Sequence, residues 1–199
     1  MNYSYLEHKL AVHCAGTLLG KKPACLVCFP TKLTHIEEDV RSYLATKPHN
    51  LQDLELMLLA KNTRVQYLFV YRRSLLTAYL QDPDVAYALS KFGYEQISEK
   101  EKSNSEFDLS AILAQLGARL QENRGFPHEI GLFLGYPVRD VLSFINCGGR
   151  DFLTCGYWKV YHNVQQAQAR FEEFNACRDC LISQVKAGCD LWSLCADCG

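Results

Sequence analysis

Residues 54–72 read LELMLLAKNTRVQYLFVYR and contain two apolar runs, separated by the polar tetrapeptide KNTR at 61–64. The length of each run, with its β-branched and aromatic residues, is typical of a strand, and the polar residues between them predict the turn of a β-hairpin. The turn lacks the glycine that marks the commonest hairpins. Both runs are apolar on alternate and on intervening positions, which predicts a sheet covered on both faces.

Two more segments predict strands. ACLVCF at 24–29 is a short apolar run between two prolines, and GYWKVY at 156–161 is rich in aromatic and β-branched residues. Apolar residues at helical spacing predict helices elsewhere, including a continuous one from residue 3 to about 19 and a long one from 164 to about 185. We therefore predict an α/β fold, with α+β as the alternative, in which helices cover both faces of a small mixed sheet. Its four strands are Ala24–Phe29, Leu54–Lys61, Val65–Arg72 and Gly156–Tyr161.

The length of 199 residues fits one domain with a substantial core. We predict a single domain over residues 1–187, with an exposed loop at about 95–108, where the sequence is polar and nearly free of apolar residues. A cysteine-rich C-terminal tail at 188–199 completes the predicted organisation.

The charge pattern argues against some classes of partner. The 21 Lys and Arg residues almost cancel the 22 Asp and Glu residues, and no basic stripe is present that could neutralise phosphates. We therefore expect a small molecule or a protein as partner, and neither nucleic acid nor membrane. The N-terminus lacks the pattern of a secretion signal, which predicts a cytoplasmic protein whose ten cysteines are reduced.

The stretch FPHEIGLFLGYP at 126–137 combines a helix start with a histidine. Pro127 suits the first turn of a helix, Glu129 suits its positive end, and Gly135 can adopt the left-handed conformation that ends it. Histidine is neither a preferred cap nor favourable at that end of a helix. His128 is therefore the residue that the fold does not require, and it is a candidate to accept a proton or to ligate a metal.

Cysteines three residues apart occur in three pairs. Cys25 and Cys28 lie in a predicted strand, where positions three apart face opposite sides, so packing is the favoured interpretation. The other pairs have a spacing close to that of a zinc site and are candidate ligands for zinc or iron: Cys177, Cys180, Cys195 and Cys198. The alternative interpretation is that these four are surface and tail thiols.

Several motifs together resemble domain-of-unknown-function family 3793, a family of anaerobic Gram-positive bacteria without an assigned activity. They are FPHEIGLFLGYP with Asp140, CGYWKVY at 155–161, His13-Cys14-Ala15 with Thr17 and Lys22-Pro23, and Val70-Tyr71-Arg72. The resemblance covers nearly the whole chain up to about Lys186. One departure is Gly16, where the family motif usually has a proline.

The motif residues are the candidate site. Cys14, His128 and Glu129 are candidates for catalysis, because a cysteine nucleophile needs a nearby base. The candidates for ligand binding are His13, Arg72, Cys155, Tyr157, Trp158, Lys159 and Tyr161.

Two classes of function follow from these residues. The leading hypothesis is a pocket protein that binds a metal or a small cofactor, or uses thiol chemistry, through a His/Cys/Glu cluster. The alternative is a non-catalytic interaction or regulatory module whose motif residues only build the fold. A zinc site in the C-terminal cysteine pairs is a third hypothesis. No phosphate-binding glycine loop or dinucleotide fingerprint is present in the sequence.

Overall fold

The computed structural model describes residues 5–33, 35–94, 97, 107–122 and 126–196. The chain divides into two compact units: unit 1 comprises Met1–Leu75 and Glu172–Gly199, and unit 2 comprises Leu76–Phe171. Helices and strands are both present, which confirms the predicted α/β class. The single domain over residues 1–187 stays a prediction. Most of the predicted loop at 95–108 lies outside the described residues.

Among the described residues, the strands are β1 (Ala24–Pro30), β2 (Leu54–Lys61), β3 (Val65–Arg72), β4 (Thr154–Cys155) and β5 (Lys159–Val160). The α-helices there are α1 (Tyr5–His13), α2 (Ala15–Leu18), α3 (Ile36–Ala45), α4 (Arg73–Leu80), α5 (Pro83–Ser90), α6 (Leu109–Gln121), α7 (Ile130–Phe133), α8 (Val138–Asn146), α9 (Val164–Lys186) and α10 (Leu191–Ala196). No helix in these ranges has the length and apolar character needed to cross a membrane.

Unit 1 is built on β1, β2 and β3, which confirms three of the four predicted strands. Its sheet is antiparallel throughout and not mixed, with β3 between β1 and β2. The register places Val27 opposite Leu68 and Leu56 opposite Val70. Because side chains alternate along a strand, these apolar residues meet on one face of the sheet, where they form part of the unit 1 core.

The helices of unit 1 pack on that core face. Leu6 and Leu10 of α1, Val40 of α3, and Leu181 of α9 are all buried in the core. Within the predicted C-terminal tail, α10 places Trp192 in the same core, where its ring stacks on Tyr43 and its indole Nε1 donates to Thr46 Oγ1 at 3.1 Å. The C-terminal residues up to 196 are therefore part of the packing of unit 1.

The continuous helix predicted from residue 3 to 19 is wrong, because the chain breaks at Cys14 into α1 and α2. The main-chain carbonyl of His13 accepts a hydrogen bond from the Cys25 thiol at 3.0 Å. The next main-chain bond, from Thr17 N to Cys14 O, spans three residues and tightens the turn. Gly20 then adopts the left-handed conformation, with φ +71°, and ends the segment as predicted.

Unit 2 contains short helices with side-chain caps and a small sheet. Asp82 accepts hydrogen bonds from the first turn of α5, and Asp108 does the same for α6. The predicted fourth strand, Gly156–Tyr161, is wrong as a strand of the main sheet. Its residues Lys159–Val160 form β5, which pairs with β4 in a separate two-stranded sheet.

The Gly156 N–H donates to the Trp158 carbonyl, so that residues 156–158 turn instead of extending. A Cβ at Gly156 would lie 2.3 Å from the Phe171 ring, which is why glycine is required at this turn. The aromatic segment predicted as a strand therefore forms a tight connection between two short strands.

The β2–β3 hairpin is held by a side chain in place of the missing glycine. Asn62 Oδ1 accepts hydrogen bonds from the main-chain N–H groups of Arg64 at 2.9 Å and Val65 at 2.8 Å. Asparagine side chains commonly stabilise turns in this way. The turn predicted at 61–64 is confirmed, and Asn62 explains how it forms.

We predict that Asn62→Ala lowers the free energy of unfolding by about 1 kcal/mol, because two main-chain donors lose their acceptor and water replaces it only in part. Asn62→Asp keeps an acceptor oxygen at the same position and is the matched control, with stability close to the wild type. Urea denaturation followed by far-ultraviolet circular dichroism measures both. Equal stability of Asn62→Ala and the wild type would contradict the role of this side chain.

Candidate functional site

Asp140 is a buried carboxylate in the first turn of α8, with 3% of its surface exposed. Its Oδ2 accepts the Trp158 indole N–H at 2.8 Å, and its Oδ1 accepts the main-chain N–H groups of Tyr161 at 2.9 Å and His162 at 3.0 Å. A buried carboxylate is costly unless hydrogen bonds satisfy its oxygens. Asp140 therefore holds β5 and the residues after it against α8.

A pocket of about 260 Å³, which we call the aromatic pocket, lies beside this carboxylate in unit 2. Most of its wall is aromatic or aliphatic, and its charged residues are Asp140 and Lys159. The residues that line it are Phe126, His128, Ile130, Gly131, Leu134, Tyr136, Asp140, Val141, Phe144, Trp158 and Lys159.

The Trp158 ring forms one wall of the aromatic pocket and is fixed from several directions. The Tyr136 ring lies 5.2 Å from it, tilted by 30°, and the Phe171 ring meets it edge-on at 4.5 Å. The Tyr79 hydroxyl donates to the Tyr136 carbonyl at 2.7 Å. Its neighbours and its hydrogen bond to Asp140 therefore hold this ring in one orientation in the wall of the aromatic pocket.

His128 and Lys159 supply further polar groups to the lining of the aromatic pocket. The His128 ring is exposed and meets the Phe144 ring edge-on, with 5.0 Å between the ring centroids. Lys159 Nζ donates to the Gly149 carbonyl at 2.6 Å and lies 5.7 Å from the centroid of the Phe144 ring. A histidine and an ammonium group thus lie at the edge of an apolar cavity.

A second pocket of unit 2, of about 520 Å³, has a more polar lining than the aromatic pocket and shares Asp140 and Trp158 with it. His162 contributes to it, and the Nε2 atom of this ring lies 3.0 Å from Ser143 Oγ. The sequence interpretation did not select His162 or Ser143. It named Asp140 only as part of a motif, although a carboxylate in an apolar helix just after a proline was a usable signal.

Glu129 lies at the start of a helix, as the sequence predicts, but its side chain does not cap that helix. It occupies the N-cap position of α7, but its side chain makes no capping hydrogen bond. The carboxylate is instead buried and pairs with Arg119 Nη1 at 2.7 Å. The Arg119 guanidinium also stacks over the Tyr94 ring at 4.8 Å. Burial and the nearby Glu129 carboxylate raise the pKa of the Tyr94 hydroxyl well above its usual range.

Three other residues predicted in unit 2 do not line the aromatic pocket. Cys155 is exposed in β4, opposite Lys159, and does not line the aromatic pocket. Tyr157 is half-buried, with its ring 5.7 Å from that of Phe171. Tyr161 contributes its main-chain N–H to Asp140. Of the predicted residues His128, Glu129 and Cys155, the aromatic pocket therefore uses only His128.

The predicted residues of unit 1 form a separate group. Cys14 is 1% exposed, whereas His13 is exposed and contributes its carbonyl to the Cys25 thiol. Arg72 is buried, with Nε donating to the Thr17 carbonyl at 3.0 Å and Nη2 donating to the Leu18 carbonyl. These two bonds hold the end of α2, so Arg72 has a structural role, and its predicted part in ligand binding stays a prediction.

The metal-site prediction concerns cysteines with different environments. Cys177 and Cys195 are buried in the unit 1 core, Cys180 is exposed, and Cys198 lies outside the described residues. Among the residues that the structure describes, no group of three or more His, Cys, Asp or Glu side chains is placed to hold a metal ion.

The family model described as "Protein of unknown function (DUF3793)" matches residues 10–195. The chain belongs to this family. The match confirms the resemblance that the motifs indicate. No curated protein and no solved structure matches the chain.

The family match covers both groups of candidate residues. The FPHEIGLFLGYP motif of this DUF3793 protein forms α7 and part of the aromatic pocket, and the CGYWKVY motif supplies Trp158 and Lys159. The N-terminal motif supplies Cys14 in unit 1. The motifs therefore have identifiable structural positions, although the family has no assigned function.

We predict that Asp140→Asn lowers the free energy of unfolding by about 2–3 kcal/mol, because an amide N–H₂ then faces an N–H donor in a buried position. Adding Trp158→Phe to this variant removes the indole donor. The double variant should therefore be less destabilised than the sum of the two single variants, by about 1 kcal/mol or more. Urea denaturation of the four proteins measures this coupling, and additive effects would contradict the Asp140–Trp158 hydrogen bond.

Proposed function

We propose that unit 2 binds a small, flat aromatic molecule that carries an anionic group. The observation that supports the proposal is the aromatic pocket, in which a fixed Trp158 ring and a Lys159 ammonium group line one cavity. Ligand sites are typically concave, largely apolar and equipped with a few polar groups that orient the ligand. This proposal keeps the small-cofactor part of the leading hypothesis and does not require a metal.

The size of the aromatic pocket limits the ligand. A volume of about 260 Å³ is at the low end of known ligand sites, which suits a molecule of one or two rings. The rings of Tyr136, Phe144 and Trp158 provide the flat faces and edges against which an aromatic ligand packs. The exposed Phe126 at the edge, with 45% of its surface accessible, extends the apolar contact area.

The charges of the pocket favour an anionic substituent. The oxygens of Asp140 already accept three hydrogen bonds, so this carboxylate is satisfied by the protein itself. Lys159 gives one hydrogen bond to the Gly149 carbonyl, and an ammonium group carries three donors. It can therefore bind a carboxylate or a sulfonate as well.

We predict that 2-naphthoate binds to the reduced, full-length protein and that Lys159→Met weakens this binding about tenfold, the loss expected for one charge-assisted hydrogen bond. The uncharged 2-naphthol should bind the wild type and Lys159→Met equally. Lys159→Arg keeps the positive charge and should retain most of the affinity. Isothermal titration calorimetry measures these affinities. The control variant is Lys61→Met, which removes an exposed lysine of unit 1.

A second variant tests the position of the site. His128 is exposed at the edge of the aromatic pocket, so His128→Trp can narrow the entrance without a change in the core. It should weaken 2-naphthoate and 2-naphthol alike. Absence of saturable binding of either compound to the wild type would contradict the proposal and favour an interaction module in which these aromatic residues only build the fold.

A further inference from the structure

Cys14 and Cys25 form a contact pair inside unit 1. Cys14 lies between α1 and α2, and Cys25 is the second residue of β1. The Cys25 sulfur donates to the His13 carbonyl at 3.0 Å, which places it beside the peptide group that joins His13 to Cys14. Both side chains belong to the same buried core of unit 1. Both cysteines are buried, with 1% and 7% of their surfaces exposed, and both are unbridged thiols.

Arg72 holds the two segments that carry these thiols. Its side chain donates to the carbonyls of Thr17 and Leu18, which follow Cys14. Its main-chain N–H donates to the Pro23 carbonyl at 2.9 Å, next to the start of β1. One residue of β3 therefore holds both ends of the segment that connects Cys14 to Cys25.

The surroundings also make the two thiols unequal. A hydrogen bond from the Cys14 thiol and the positive charge of Lys22 lower the pKa of Cys25 to about 7, although burial acts in the opposite direction. Burial raises the pKa of Cys14. Thiol–disulfide exchange uses a pair in which one thiol ionises readily and the other stays protonated. The first sulfur attacks the disulfide, and the second then resolves the mixed disulfide.

We propose that Cys14 and Cys25 are a redox-active dithiol that closes to an intramolecular disulfide by exchange with a low-molecular-weight disulfide. The Cys25 thiolate attacks one sulfur of that disulfide, whose S–S bond breaks and releases one small thiolate, which takes up a proton. Cys14 then loses its proton to solvent and attacks the Cys25 sulfur of the mixed disulfide. This step releases the second small thiol. The protein is oxidised by two electrons and the small disulfide is reduced to two thiols.

The proposal concerns unit 1 and is independent of ligand binding in unit 2. It assigns Cys25 as the partner of Cys14, where the sequence interpretation considered His13 or His128. Cys28, on the opposite face of β1, is exposed and gives a comparison within the same strand. The exposed Cys155, Cys180 and Cys189 are further internal comparisons.

The experiment uses the full-length Cys28→Ser protein, reduced under anaerobic conditions and then exposed to bis(2-hydroxyethyl) disulfide in native buffer. Remaining thiols are alkylated, and the protein is digested with trypsin without reduction. Cleavage after Lys9, Lys21 and Lys32 releases Cys14 in LAVHCAGTLLGK and Cys25 in KPACLVSFPTK, the second peptide carrying the new serine. Mass spectrometry then identifies any linked pair.

The expected result is one major linked species that joins these two peptides, disappears on treatment with dithiothreitol, and is absent when Cys14→Ala is added. If the Cys14→Ala variant does not fold, fragmentation of the linked species in the Cys28→Ser protein still identifies the bonded cysteines. Recovery of both peptides with alkylated or separately modified cysteines, while the exposed cysteines react, would overturn the proposal. A disulfide from Cys14 to any other cysteine would overturn it as well.

Discussion

The arrangement of unit 2 depends on the hydrogen bonds that the buried Asp140 carboxylate accepts. A charge buried to this degree needs donors for its oxygens, and the donors come from an indole ring and from two consecutive main-chain N–H groups. Residues 158–162 must therefore take the one conformation that directs all three donors toward α8. This electrostatic requirement sets the orientation of the Trp158 ring, and the ring in that orientation forms part of the wall of the aromatic pocket.

The fold of unit 1 could be predicted largely from local sequence signals. Continuous apolar runs bounded by prolines or polar residues gave the bounds of β1, β2 and β3 to within one residue. These signals work because each strand is defined by its own burial and its own turn residues. The turn needed no glycine, since Asn62 supplies the acceptor that shapes it.

The candidate site was less predictable because the conformations of its residues depend on contacts with residues distant in sequence. Residues 156–161 have the composition of a strand, yet the contact of Gly156 with Phe171 and the bond of Trp158 to Asp140 impose a turn. Glu129 has the position of a helix cap, yet its carboxylate pairs with Arg119 of another helix. His128 and the aromatic residues were identified from their motifs, but which of them line a common pocket depends on tertiary packing that periodicity does not encode.

The division of the chain has a consequence for its synthesis. Unit 2 is one uninterrupted stretch, whereas unit 1 joins the first 75 residues to the segment from Glu172 onward. As the chain leaves the ribosome, unit 2 is complete first, and the sheet of unit 1 still lacks Leu181 and Trp192 from its core. The part of the unit 1 core that Leu181 and Trp192 cover thus stays exposed until the segment from Glu172 onward has been made.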